Sequence, residues 1–260
     1  MNPYSFLLRN LVLPIGDLAF RQGMIPRLKF LETAQYWPRE RILAQQAQDL
    51  RSLIETAYAE VPFYRDLMDQ AGVIPSDIQT PADLKKLPVV TKAWLREGYP
   101  HKTTRPTGQK TYQASTSGST GKNFYVMEDA QTAGVYRASF MLSLEWAGWQ
   151  IGEPHLQTGM TLQRSLDRRI KDWLMRCHYF SAYALDDPHL DAILQEMEDH
   201  HLRHLWGFPG SLYFLAKRAQ ETGWNQPLTS VVSWGDTLYP HYRREIEAVF
   251  GTRVFDTYGC

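Results

Sequence analysis

Beyond about residue 98 the sequence alternates between short strand-like runs and longer helical stretches, and this alternation constrains the fold more than any other feature. The strand-like runs are Phe124 to Met127, Val231 to Trp234 and Arg253 to Phe255. The helical stretches are Ala130 to Trp146, Leu190 to His200, Ser211 to Thr222 and Pro240 to Phe250. Strands that alternate with helices of this length are typical of crossover connections, so we predict an α/β layer architecture with a partly parallel sheet.

The first hundred residues show helical patterns instead. Apolar residues recur at three- and four-residue spacing from Pro38 to Gln70, with a break at Pro62. The segment Pro75 to Arg96 holds several helix start and stop signals, and a polar connector runs from His101 to Lys110. We therefore predict a helical N-terminal region over residues 1–108 and a layered α/β subdomain over residues 109–260.

An apolar stretch lies near the amino terminus, from Phe6 to Phe20. Arg9, Pro14 and Asp17 interrupt it, so it is too short and too broken to span a bilayer. The favoured interpretation is a helix that docks its apolar face on the protein, and peripheral membrane contact is the alternative.

Charge and cysteine content exclude several classes of protein. Lys plus Arg and Asp plus Glu each number 28, so the net charge gives no reason to expect a nucleic-acid partner. Cys177 and Cys260 are far apart, and neither belongs to a CxxC pair. This argues against a disulfide framework or a thiolate zinc site and predicts a cytoplasmic protein.

The segment with the clearest chemical meaning runs from Ala114 to Asn123. It contains two glycines, five hydroxyl side chains and Lys122. Glycines allow a tight turn close to a ligand, and successive amide groups in such a turn form an anion-binding nest. The segment is not a Walker A loop, because Gly121 follows Gly118 after only two residues. A polyphosphate site and a plain Ser- and Gly-rich hairpin turn both stay open on composition alone.

This segment resembles the flexible phosphate loop of adenylate-forming enzymes, such as acyl- and aryl-CoA ligases and luciferases. In those enzymes the loop closes over the β- and γ-phosphates of ATP. The resemblance implies catalytic roles for Thr120 and Lys122, and nucleotide-binding roles for the whole run of Ser117, Gly118, Ser119, Thr120, Gly121 and Lys122. Asn123 departs from the pattern, because a proline is usual there.

Three further segments resemble phenylacetate–CoA ligases and CapK-like proteins in particular. Glu60 to Arg65 and Asp83 to Lys92 are similar to the N-terminal signature of that family. Leu205 to Ser211 is similar to a turn that precedes a helix in CapK-like members.

Two later segments, Trp234 to Leu238 and Asp256 to Cys260, are similar to the adenine-side motifs of the same family. The resemblance implies that the adenine pocket is bordered by Gly235 and Asp236, and that the nucleotide is faced by Tyr258 and Gly259. Asp236 stands where a glutamate is common.

The resemblance implies an acid–thiol ligase of the AMP-forming type. In that reaction a small-molecule carboxylic acid and ATP with Mg²⁺ give an acyl-adenylate, and coenzyme A then displaces AMP. CapK-like members are associated with capsule or exopolysaccharide biosynthesis. The family also carries a Mg²⁺-holding glutamate after the Tyr-Gly pair and a small C-terminal domain with a catalytic lysine, both of which would follow Cys260. We therefore expect this 260-residue chain to be an N-terminal portion that is inactive alone.

Two interpretations from other functional classes stay open. The chain could be a non-catalytic nucleotide-binding or scaffold protein, or a structural α/β domain in which the Ser- and Gly-rich segment is only a turn.

A group of imidazole and carboxylate side chains invites a metal interpretation, namely Glu196, His200, His201 and His204. No HExxH pattern is present, and the glycine and proline that follow suggest that the helix ends nearby. The favoured interpretation is a polar helix end, so we predict no metal site.

A basic run with interleaved apolar residues extends from Arg164 to Arg176, and its cations are Arg164, Arg168, Arg169, Lys171 and Arg176. An amphipathic surface helix is the favoured interpretation. The alternatives are that this helix borders the acceptor site or contacts an anionic membrane face.

Overall fold

A computed structural model describes residues 3–106, 108, 110–116, 123–161 and 163–258. The chain forms two compact units, one built from residues 20–138 and the other from residues 1–19 together with residues 139–260. The first contains an antiparallel pair of strands, and the second contains a sheet of five parallel strands. The predicted α/β class with a partly parallel sheet is therefore confirmed. The predicted division at residues 108 and 109 stays a prediction.

The elements follow in chain order. The α-helices are α1 (Pro3–Leu7), α2 (Leu13–Phe20), α3 (Met24–Ala34), α4 (Arg39–Glu60), α5 (Pro62–Ala71), α6 (Lys92–Gly98), α7 (Ala130–Trp146), α8 (Leu166–Met175), α9 (Asp187–Asp199), α10 (Pro209–Thr222) and α11 (Pro240–Phe250). The strands are β1 (Thr111–Thr116), β2 (Phe124–Asp129), β3 (His155–Gly159), β4 (Cys177–Ser181), β5 (His204–Gly207), β6 (Ser230–Ser233) and β7 (Val254–Asp256). A π-helical segment, Leu8–Val12, joins α1 to α2, and the 3-10 helices Pro75–Asp77 and Pro81–Lys86 precede α6.

Proline and glycine set the helix ends in the unit of residues 20–138. Pro62 occupies the first turn of α5, where its missing N–H costs nothing. Gly72 ends the same helix with φ +64°, a left-handed conformation that glycine adopts without strain. The predicted break at Pro62 is thus confirmed. The helices enclose a small core of Ile54, Met68, Val73 and Ile78.

An antiparallel hairpin lies in the same unit. β1 pairs with β2 so that Thr116 stands opposite Phe124. The predicted strand from Phe124 is confirmed, whereas β1 was not predicted. Asp129 ends β2 and caps the amino end of α7, because its Oδ1 accepts a hydrogen bond of 2.7 Å from the backbone N–H of Thr132.

The parallel sheet dominates the other unit, with strand order β4-β3-β5-β6-β7. All residues of β5 and β6 are buried, as expected for central strands with both faces covered. The core joins the sheet to α9, α10 and α11 through Leu205, Val231, Leu194, Leu212 and Ile246, among others. The helices α7 and α11 have the bounds that the sequence predicts, but β3, β4 and β5 were missed.

The N-terminal stretch is helical and belongs to the unit that holds the parallel sheet. Leu8 is buried, and the hydroxyl of Tyr4 donates a hydrogen bond of 2.7 Å to the backbone carbonyl of Leu174. Much of the predicted docking face is nevertheless exposed, at Phe6, Leu7, Leu11, Ile15 and Leu18. Among the described residues, no helix has the length and apolar character needed to cross a bilayer.

The basic amphipathic run forms α8, as predicted. Leu166, Ile170 and Trp173 lie exposed along this helix. Arg164, which lies just before the helix, forms a bidentate ion pair with Asp172, with N–O distances of 2.8 and 2.6 Å.

Candidate functional site

The carboxyl edge of the parallel sheet brings together the residues expected on the adenine side. Ser233 at the end of β6 is registered with Asp256 at the end of β7. Neighbouring strands lie about 4.8 Å apart. Gly235 and Tyr258 each follow two residues after this registered pair, so they leave the sheet from adjacent positions on the same edge. Ligands of open α/β sheets bind at this edge.

Gly235 occupies a position that only glycine fits without strain. Its φ is +76°, and a Cβ built on its backbone would lie 2.5 Å from Cε1 of Phe208. The backbone just before it extends the strand pairing, since the N–H of Trp234 donates to the carbonyl of Gly207 at 3.1 Å. The Phe208 ring therefore packs directly against the turn that leaves β6.

Hydrogen bonds fix the ends of β6 and β7. The hydroxyl of buried Ser233 donates to Oδ1 of Asp256 at 2.5 Å. Both the N–H and the hydroxyl of Thr257 donate to the carbonyl of Ser233, each at 2.9 Å. One oxygen of Asp236 accepts from the N–H of Thr237 at 2.7 Å. These contacts give the edge a defined backbone.

The groups that this backbone presents are open to solvent. The side chain of Tyr258 is 98% exposed, and Gly235 and Asp236 are exposed as well. A flat aromatic ring, a carboxylate and an uncovered glycine backbone are groups that can stack on a heterocycle and accept hydrogen bonds from its amino group. Gly259, the fourth predicted residue, lies outside the described residues.

A second feature of the same edge was not predicted. In the strand order of this sheet, the chain runs from β3 outward to β4 and then returns to β5 on the other side of β3. The crevice between β3 and β5 is therefore the topological switch point, the place where doubly wound sheets bind ligands. The buried hydroxyls of Thr158 and Ser211 meet there at 3.0 Å.

The turn that closes this crevice matches the turn expected from Leu205 to Ser211. β5 ends at Gly207, Phe208 caps α10, and Pro209 begins the helix. A side chain at position 207 would collide with Oγ1 of Thr158. The Gly-Phe-Pro-Gly-Ser sequence was the available signal, but β3 was not predicted, so its partner Thr158 could not be named.

An open cavity of about 700 Å³ lies beside β4, an edge strand of the sheet. Its lining includes Arg169 and Trp173 of α8 and Tyr179 of β4. The guanidinium of Arg164 stacks over the Tyr179 ring at 3.9 Å. Cationic and aromatic groups thus line one wall of this cavity.

The predicted phosphate loop falls outside the described residues. This applies to Ser117, Gly118, Ser119, Thr120, Gly121 and Lys122. In chain order these residues follow β1 and precede β2, the two strands of the hairpin. A position between β1 and β2 fits a phosphate loop and a plain turn equally well. The catalytic roles of Thr120 and Lys122 therefore stay predictions.

Comparison with solved structures defines the class of fold. The chain aligns with an open conformation of 2-hydroxyisobutyryl-CoA ligase, crystallised with 2-HIB-AMP and CoA, with a TM-score of 0.59 and 20% sequence identity. The alignment covers 84% of this chain and 54% of the ligase. Over the aligned region the chain therefore has the fold of the corresponding part of this ligase.

Curated relatives with similar sequence are phenylacetate-coenzyme A ligases. The Thermus thermophilus enzyme is 43% identical over 63 residues, which cover 24% of this chain and 14% of that enzyme. The Escherichia coli enzyme is 39% identical over 97 residues, which cover 37% of this chain and 22% of that enzyme. The resemblance to phenylacetate–CoA ligases is therefore confirmed. No family model matches the chain.

The matches cover only part of these proteins. The aligned segments span less than a quarter of each curated relative, and the chain spans about half of the ligase structure.

Proposed function

We propose that this chain is the nucleotide-binding part of an enzyme that activates a carboxylic acid with ATP and transfers the acyl group to coenzyme A. The observation that carries the proposal is the 39% identity over 97 residues with a phenylacetate-coenzyme A ligase. The exposed groups of Gly235, Asp236 and Tyr258 at one sheet edge support it, because they suit an adenine ring.

The first chemical step would be attack of the substrate carboxylate on the α-phosphorus of ATP, with pyrophosphate as the leaving group. Two anions must approach each other, so positioning and charge neutralisation dominate the barrier. In the proposal, Lys122 and the hydroxyl and amide groups of residues 117–122 hold the phosphate tail. Mg²⁺, bound with ATP, would supply further neutralisation of the phosphate charge.

The second step would be attack of the coenzyme A thiol on the acyl-adenylate, which releases AMP. We propose the cavity beside β4 as the region that attracts coenzyme A, because Arg169 and Trp173 offer a charge and a stacking surface to an anionic nucleotide. Charge reversal at Arg169 would then raise the KM for coenzyme A and leave the rate of pyrophosphate exchange unchanged.

Pyrophosphate exchange tests the proposal. The complete protein, at the length of its relatives, should incorporate labelled pyrophosphate into ATP only when a carboxylic acid is present. Arylacetic acids are the first substrates to try, because the relatives are phenylacetate-coenzyme A ligases. The 260-residue chain should show no exchange under the same conditions. Exchange by the chain alone would contradict the proposed inactivity of this portion.

A non-catalytic nucleotide-binding protein is the second candidate. The exposed groups of Gly235, Asp236 and Tyr258 suit a bound nucleotide whether or not turnover follows, so they fit this candidate as well. Binding of ATP by the complete protein without exchange, across a panel of acids, would favour this candidate.

The link with capsule or exopolysaccharide biosynthesis is the most specific part of the proposal, and it rests on the resemblance to CapK-like proteins. Loss of the gene should then reduce cell-surface polysaccharide. An unchanged polysaccharide content in a strain without the gene would remove this part and leave acid activation intact.

A further inference from the structure

Three side chains with metal-binding atoms meet beside β4, an edge strand of the parallel sheet. They are His178 of β4, Glu196 in the last turn of α9 and His200, which caps that helix. One ligand atom from each lies within 4.8 Å of the others. His178 and Glu196 belong to different elements, and they are 18 positions apart in the chain.

The geometry is already close to that of a ligand set. Nδ1 of His178 lies 2.6 Å from Oε1 of Glu196, and Nε2 of His200 lies 3.5 Å from the same oxygen. Zinc–ligand bonds of about 2.0–2.2 Å place tetrahedral ligands roughly 3.4 Å apart. Side-chain movements of about 1 Å would therefore open the His178–Glu196 pair enough to accept an ion.

We propose that His178, Glu196 and His200 form a binding site for Zn²⁺. Two imidazoles and one carboxylate are a recurring set of three protein ligands for this ion, with a fourth position left for water. Imidazole ligands select borderline transition metals over Mg²⁺ and Ca²⁺, which prefer oxygen ligands. Partial exposure of the three side chains, at 22%, 33% and 53%, leaves a path for the ion to enter.

The sequence alone does not reveal this arrangement. In the sequence His204 stands in the same group as His200, but α9 ends at Asp199 and His204 lies buried in β5. There its Nδ1 is 2.8 Å from the hydroxyl of Ser230. The third ligand is instead His178, which belongs to a strand that was not predicted.

The position of the site argues for a structural role. His178 is the second residue of β4, and α9 ends shortly before β5 begins, so the cluster lies towards the amino edge of the sheet. The candidate nucleotide edge, with Gly235 and Tyr258, is the opposite one. An ion held there would tie β4 to α9, and it would stabilise the folded chain by binding it in preference to the unfolded one.

Isothermal titration of the untagged 260-residue chain with Zn²⁺, at neutral pH and after treatment with a chelator, tests the proposal. We expect one ion per chain and a raised thermal unfolding midpoint. Co²⁺ in place of Zn²⁺ should give the visible absorption of a tetrahedral site. Glu196→Gln and His178→Asn should each weaken binding at least as much as the roughly 10- to 100-fold that loss of an outer-shell partner costs.

The adjacent imidazole provides a matched control. His201 has φ +50°, a conformation that asparagine tolerates, so His201→Asn should keep both the fold and the Zn²⁺ affinity. Circular dichroism of each metal-free variant separates loss of the site from loss of the fold. The proposal is wrong if the chain takes up no Zn²⁺, or if folded Glu196→Gln and His178→Asn proteins bind it as tightly as the parent chain.

Discussion

Replacement of Gly235 by alanine probes the turn at the candidate nucleotide edge. The residue has φ +76°, and a non-glycine residue in the left-handed region costs about 1–2 kcal/mol. The new methyl group would also lie 2.5 Å from Cε1 of Phe208, well inside the ordinary contact distance. Displacing a packed ring costs about 1–3 kcal/mol. We therefore expect Gly235→Ala to lower the free energy of unfolding by about 2–5 kcal/mol.

The two contributions can be separated by a double-mutant cycle. Phe208→Leu shortens the side chain that the methyl group would meet, whereas the cost of the positive φ remains. In the Phe208→Leu background, Gly235→Ala should then cost only the conformational part, about 1–2 kcal/mol. Urea denaturation followed by tryptophan fluorescence and circular dichroism gives the four free energies of the cycle.

Gly210 provides the control for this experiment. It lies in the first turn of α10, and a Cβ built there meets no atom within 4 Å. Gly210→Ala should be neutral or slightly stabilising, because alanine is the better helix former. A neutral Gly235→Ala variant, or an equal cost in both Phe208 backgrounds, would refute the described geometry of this turn.

Two further predictions concern stability. Burial lowers the pKa of His155 to about 3, against about 6.5 in an unfolded chain, so the unfolded state binds the extra proton between these values. The contribution of neutral His155 to the free energy of unfolding should be fully present above about pH 6.5, and below that pH the free energy should fall by up to about 1.4 kcal/mol per pH unit. His155→Phe should flatten this slope, as measured by urea denaturation at several pH values. Asp129→Ala removes the cap of α7 and should lower the free energy of unfolding by about 1 kcal/mol, whereas Asp129→Asn should lower it by less. Urea denaturation measures both values, and equal losses would argue against the cap.

The helices and the strands β2, β6 and β7 were predictable because their signals are local. Pro240 and Gly251 mark the two ends of α11, and Pro62 marks the break between α4 and α5. The strands β3 and β4 were harder to recognise. His155-Leu-Gln-Thr-Gly and Cys177-His-Tyr-Phe-Ser lack the runs of β-branched residues typical of buried strands, and only their pairing in the sheet defines them as strands.

The same distinction applies to the sites. Gly235, Asp236 and Tyr258 can be named as candidates from the sequence because motif resemblance operates on contiguous residues, and their role stays a prediction. The contact between Phe208 and Gly235 could not be predicted, since it depends on how β5 and β6 pair. His178 was missed for a similar reason, because its link to Glu196 exists only through the packing of α9 beside β4.

Titration of ATP into the 260-residue chain tests most directly whether the edge after β6 and β7 receives the adenine ring. The parent chain should bind ATP, and Tyr258→Ala should weaken binding about tenfold, as expected for loss of one aromatic stack on a base. Tyr36→Ala, which removes another exposed tyrosine (83% exposed, and not one of the proposed site residues), should leave the affinity unchanged. Absence of ATP binding by the parent chain, or equal affinities of the Tyr258→Ala and parent chains, would contradict the assignment of this edge.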